Sequence, residues 1–141
     1  MANFMKNSKL MTQKEEIVMD IFWTQKKPLT ITELAGFFYK EKLKQVTLFR
    51  IANSLLDKGY LEIYGFERNN TQYARKFVPA LTKEEYAAVL LSEHGIKSTS
   101  LVKIALSMLG YGKRKEINQD EKDKLIEELE SIIARIRSQD E

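Results

Sequence analysis

Three times before residue 86 a threonine is followed, three positions on, by a glutamate: Thr12 with Glu15, Thr30 with Glu33, and Thr82 with Glu85. This is the spacing of a capping box. The hydroxyl accepts the N–H three residues on, and the carboxylate accepts the N–H of the cap residue. Each pair pins the start of a helix, and so the phase of the residues that follow. After Thr12, Ile17, Val18, Ile21 and Phe22 fall on one helical face, and the helix must end by Lys27 because Pro28 disfavours helix in the residue before it. After Thr30 a second helix is expected to run to about Lys40 with Leu34, Phe37 and Phe38 inward, and residues 29–31 before it suit one rung of an edge strand.

A polar break at 41–44 leads to a third helix beginning near Gln45 to Thr47. Leu48, Ile51, Ala52, Leu55 and Leu56 form its apolar stripe. Lys58-Gly59 stops it, with a cation against the negative helix end and a glycine free to take positive φ. Residues 60–64 and 71–78 then read as two strands around a polar turn at 65–70, closed by Pro79. A fourth helix follows Thr82 to about Glu93, with His94-Gly95 as its cap. A fifth covers 98–109 with Leu101, Ile104, Ala105 and Met108 aligned. A basic linker at 111–117 precedes a sixth from Asn118 to about Arg137.

Helix, short strand, helix, helix, strand, turn, strand is the order of a winged helix. The expected class is therefore mostly α with a small antiparallel β-hairpin wing. A winged helix-turn-helix DNA-binding domain would occupy residues 1–80 and a helical dimerisation region 81–141. Charge divides in the same sense. Residues 1–80 hold 13 Lys and Arg against 8 Asp and Glu, whereas residues 81–141 hold 10 against 12. A basic front half suits a polyanion, and the back half suits another protein.

The buried stripe of the third helix fixes its opposite face, which carries Gln45, Thr47, Phe49, Arg50 and Asn53. Arg can bond guanine, Gln or Asn can bond adenine, and a Thr methyl can meet thymine in the major groove. Thr47 at the helix start also suits a phosphate. Phe49 suits either a thymine methyl or cover for the second helix. Lys42 and Lys44 precede the helix at phosphate reach, and Arg68 sits on the wing at phosphate or minor-groove reach. Arg75 and Lys76 on the return strand are secondary candidates.

In the last helix Leu125, Leu129, Ile132 and Ile136 are spaced four, three and four, with Ile126 and Ile133 beside them. That stripe is too wide for a lone exposed helix. A second copy of the chain is the economical cover, with Leu101, Ile104 and Met108 of the fifth helix added to the seam.

Catalysis has little to work with. There is no cysteine and one histidine, and neither a Gly-rich phosphate loop nor metal-ligand spacing. No enzyme activity, cofactor or metal is expected. No apolar run approaches the ~18 residues that span a bilayer. Residues 1–9 lack the apolar block of a signal peptide, so a cytoplasmic protein without membrane contact is expected.

Several stretches together resemble the penicillinase-repressor type of transcriptional regulator (BlaI, MecI and CopY-like). They are LMTQKEEIVMDIFW at 10–23, PLTITEL at 28–34, VTLFRIANSLLDKGYLE at 46–62, QYARKFVPALTKEEY at 72–86 and INQDEKDKLIEELESII at 117–133. The resemblance implies a homodimer that binds a palindromic double-stranded operator and represses, and in one branch a sensor-protease system that inactivates the repressor by cleavage. The chain departs from the family in several places. The cysteine cluster of copper-responsive members is absent, and the only Asn-Phe pair, the bond cut in β-lactam members, is Asn3-Phe4. Arg50 stands where a second Thr is common and Ser54 where an Arg is common, so operator sequence does not transfer. The competing reading is a winged-helix protein-interaction module without operator specificity.

Overall fold

A computed structural model of the chain describes residues 10–111 and 118–139. Residues 1–9 and most of the basic linker lie outside them. All three capping boxes form, at α1 (Gln13–Gln25), α2 (Ile31–Gly36) and α4 (Lys83–Glu93). At α1 the Thr12 hydroxyl accepts the Glu15 N–H at 3.2 Å, and the Glu15 carboxylate accepts the Thr12 N–H at 2.9 Å. The helix ends at Lys26, which takes a left-handed φ of 56° two residues before Pro28. Its buried face is Glu15, Val18, Met19 and Phe22. Ile17, expected inward, is 48% exposed. At about 100° per residue it lies off the line that 15, 18, 19 and 22 trace.

α2 is shorter than expected. After Gly36 the N–H groups of Phe37 and Phe38 bond the carbonyls of Leu34 and Ala35, three residues back. This tightening to three residues per turn rotates the aromatic pair, so Phe38 is buried and Phe37 exposed. α3 (Gln45–Lys58) buries Leu48, Ala52 and Leu55 and stops at Gly59, whose φ of 84° only glycine adopts without strain.

The hairpin is longer and its turn tighter than the sequence suggests. β1 (Leu61–Asn69) runs through Gly65 and Phe66 and pairs antiparallel with β2 (Gln72–Pro79), from Leu61 opposite Pro79 to Asn69 opposite Gln72. Two residues, Asn70 and Thr71, connect them, and Asn70 takes the positive φ of 58° that the closure needs. The pairing shifts between Ile63 and Gly65, leaving Tyr64 as an extra residue. Such a bulge raises the local twist. The expected edge rung is present: Leu29 N–H donates to Phe77 O at 3.0 Å, and Phe77 N–H donates to Leu29 O at 2.8 Å.

Around this frame Phe22, Leu29, Leu34, Leu48, Leu55, Tyr60 and Phe77 are fully buried. Large apolar side chains contribute about 1.5–3 kcal/mol each when removed from water. α4 joins the same core through Tyr86, whose ring meets Tyr60 edge-on with centroids 5.4 Å apart. The Tyr86 hydroxyl accepts the Met11 N–H at 3.1 Å and donates to Glu16 at 3.2 Å. Burial and the neighbouring Glu16 carboxylate push its pKa up to about 12. The indole N–H of Trp23 donates to Leu81 O at 2.9 Å.

Glu15 ties α1 to α3. One carboxylate oxygen accepts from the Lys58 ammonium at 2.5 Å as well as from Thr12 N–H, and the other accepts from the Ser54 hydroxyl at 2.7 Å. Burial works to raise its pKa, but the bonds from Lys58, Thr12 and Ser54 outweigh it and hold the carboxyl below its ordinary value.

The chain forms two compact units that meet between Ile96 and Lys97. α4 falls in the first with the winged helix. The second contains a short 3-10 turn (Ser98–Ser100), α5 (Leu101–Tyr111) and α6 (Gln119–Ser138). α6 starts at Asn118, whose side chain accepts the Glu121 N–H at 2.9 Å, and ends on Arg135 and Arg137, charges that complement the helix dipole. Every residue of α6 is exposed. Among the described residues no helix is long and apolar enough to cross a membrane.

Candidate nucleic-acid interface

The buried stripe of α3 turns its other side to solvent. Gln45, Phe49 and Arg50 are exposed, while Thr47 and Asn53 are half-buried. At the N-terminal end Lys44 is the cap residue and makes no side-chain cap bond, and the first turn holds no acidic residue. The N–H groups there are left without a side-chain acceptor, the arrangement that favours a phosphate. Lys42, exposed in the preceding turn at a φ of 53°, adds a cation at the same end. α3 thus carries positive groups at its start and polar tips along its free face.

The wing supplies a second group. Arg68 is exposed near its tip, where its Nε donates to Asn70 O at 3.1 Å. Phe66 lies opposite Arg75 and Arg68 opposite Tyr73 in the antiparallel register. Directly opposed residues share a sheet face. One face therefore carries Phe66, Arg68, Tyr73 and Arg75, and both aromatic rings are more than 60% exposed. The other face differs: Lys76 lies 3.9 Å from Glu67 and 4.0 Å from Glu33 of α2, two loose ion pairs.

Arg75 joins the wing to α3. Its guanidinium sits over the Phe49 ring at 5.4 Å and over the buried Phe77 ring at 5.1 Å. It also donates to Asn53 Oδ1 at 3.1 Å. The Phe49 ring thus packs toward the wing, with about half its surface open. Sequence reasoning placed Arg75 behind Arg68 and missed Phe66 and Tyr73. The signal was the alternation of 73, 75 and 77, which puts Tyr73 and Arg75 on the face that Phe77 anchors in the core.

Of the apolar residues expected at a subunit seam, Leu101 and Met108 of α5 are exposed and Ile104 is half-buried. Leu125, Ile126, Leu129, Ile132, Ile133 and Ile136 of α6 are 36–56% exposed. Among the described residues no group of His, Asp and Glu could hold a metal ion.

The penicillinase repressor family model matches residues 11–131. Among solved structures the chain is similar to a cysteine-to-serine mutant of Lactococcus lactis ZitR. They share 16% identity over 91% of this chain and 76% of that one at a TM-score of 0.35, a likeness that carries no argument about function. No curated protein matches.

Proposed function

Since the chain belongs to the penicillinase-repressor family, whose members are DNA-binding transcriptional repressors and not enzymes, we propose that it acts as a homodimer that reads a palindromic operator with α3 and the wing. The observation that carries the reading is the free face of α3. Gln45, Phe49 and Arg50 project from a helix whose opposite side is locked in the core, with Lys42, Lys44 and Arg68 at phosphate reach around them. The major groove admits a helix, and each base pair presents a distinct donor and acceptor pattern there. Residues 1–80 supply the DNA-binding part and residues 81–141 the dimerisation part, although α4 at the head of that region packs with the winged helix.

The dimer reading rests on α6. Leu125, Leu129, Ile132 and Ile136 repeat on one side of a helix about 30 Å long at ~1.5 Å per residue. A 4-3-4 spacing is that of a two-helix seam, and a second α6 would cover it. Two-fold symmetry would place one α3 at each half-site, about one DNA turn apart. A proteolytic cut in residues 81–141, which the family implies as a route of release, would use a bond other than Asn-Phe, since the one such pair is Asn3-Phe4.

Selection from a random duplex library followed by titration of the enriched site tests the reading. Arg50→Ala is expected to weaken binding by about 1–3 kcal/mol if Arg50 bonds a base. Affinity should fall with salt at a log–log slope of about −0.9 per neutralised phosphate. Enrichment of no site, with a stable complex formed with a protein partner through the same face, would favour the interaction-module reading instead.

A further inference from the structure

Arg75 and Asn53 meet across the gap between wing and recognition helix, and their chemistry restricts what Asn53 can do on DNA. A guanidinium carries only donors, so the amide atom facing it must be the oxygen. The 3.1 Å bond therefore fixes which way the Asn53 amide points: Oδ1 is held on the wing side and the NH2 is left as its free end. The arginine that holds it is itself fixed between two rings. Phe77 is fully buried, and Phe49 stands four residues before Asn53 on the same side of α3. We propose that Arg75 is a positioning residue that turns Asn53 into a donor-only reader, so that this asparagine selects an acceptor edge rather than pairing with adenine. The proposal deepens the DNA-binding reading and rests on it.

A free asparagine amide suits adenine because it gives to N7 and takes from N6 at once. Oδ1 keeps a second lone pair, but the bond to Arg75 turns the oxygen toward the wing, so the amide does not present both groups to one base edge and the adenine N6 amine loses its acceptor. Guanine offers O6 and N7, both acceptors, to the same NH2. Cytosine presents only a donor and is rejected. A residue on the wing thus sets the base preference of a residue on the helix.

Selection of duplex sites with the full chain separates this proposal from the reading beneath it. If the unaltered protein enriches no site, the DNA-binding reading fails. Where a site is enriched, Asn53→Ala identifies the base pair that Asn53 reads by flattening its preference. At that pair the unaltered protein is expected to prefer guanine over adenine by about tenfold, the scale of a lost base contact. Arg75→Ala and Arg75→Lys should both shift the preference toward adenine while preferences elsewhere in the site persist. Lysine keeps the charge but has neither the planar stack nor the fixed fork. Asn53→Asp keeps an acceptor for Arg75 and removes the donor, and should abolish the guanine preference. Thermal midpoints of the four variants establish that each is folded, and Arg75→Lys and Asn53→Asp carry the test if Arg75→Ala does not fold. The proposal is overturned if Arg75→Lys keeps the original preference. It is also overturned if Arg75→Ala lowers affinity equally for all sequences, or if Asn53→Ala leaves every position unchanged.

Discussion

Replacing Leu129 and Ile132 together by aspartate should convert the proposed dimer to a monomer and remove the operator binding proposed for it, while the winged helix melts at an unchanged temperature. Leu129 and Ile132 are 44% and 43% exposed within the chain and belong to no part of the winged-helix core. In a two-fold seam each substitution counts twice. Each side chain has somewhat under half of its surface left to cover, so four such side chains give roughly 3–5 kcal/mol, before the repulsion of four carboxylates is added. At ~1.4 kcal/mol per tenfold, that is a rise of at least about 10²-fold in the dimer dissociation constant. Sedimentation equilibrium reads the first effect and titration of a two-half-site duplex the second. A variant that stays dimeric would remove α6 as the seam. One whose winged helix loses stability would mean that the helix packs within its own subunit.

Glu15→Ala should destabilise the winged helix by about 3 kcal/mol, the lower end of the range for removing one partner of a buried ion pair. Lys58 retains 18% side-chain exposure and can turn partly to water, which keeps the cost at that end. The substitution also removes half of the first capping box and leaves the Ser54 hydroxyl without its acceptor. Against a typical total of ~5–15 kcal/mol, the loss would show as a large shift in the urea midpoint. The pH dependence gives an independent measure. The folded carboxyl titrates below the ordinary 4.5, so the unfolded chain binds its proton first. The contribution is fully present above 4.5 and disappears as pH falls through the lower folded value. Glu15→Gln, which cannot ionise, should flatten that part of the acid-unfolding curve. Equal pH profiles for the two proteins would show that the Lys58 contact adds nothing in solution.

Much of the fold was legible because its signals are local. The three Thr-x-x-Glu pairs fix helix starts through bonds that span three residues, and each start is where the sequence places it. Gly59 ends α3 for a reason that needs only its own φ. Errors arose where a distant contact decides. Ile17 reads as core by apolarity, but the inward place goes to Glu15, a charged residue that only the cross-helix partners Ser54 and Lys58 make tolerable. The wing turn looked six residues long because Gly65, Glu67 and Arg68 are poor strand formers in isolation. Pairing with β2 keeps them extended. The exposed face of α3 was predictable from its buried stripe, because one helix contains both. The Arg75–Asn53 bond was not, since it depends on strand register and on how the wing leans against α3. A Ser at position 54, where the family commonly has Arg, also acquires its meaning only in three dimensions, as a donor to Glu15.

The molecule carries its own fluorophore at a structural joint. Trp23 is the single tryptophan of the chain, and it sits near the end of α1 with its indole N–H bonded to the Leu81 carbonyl and its ring 6.1 Å from that of Tyr86. Its emission therefore reports whether the segment leaving the wing stays docked on the first helix. Excitation at the red edge of the indole absorption band, where the tyrosines absorb little, follows that seam without a dye, a label or an engineered residue.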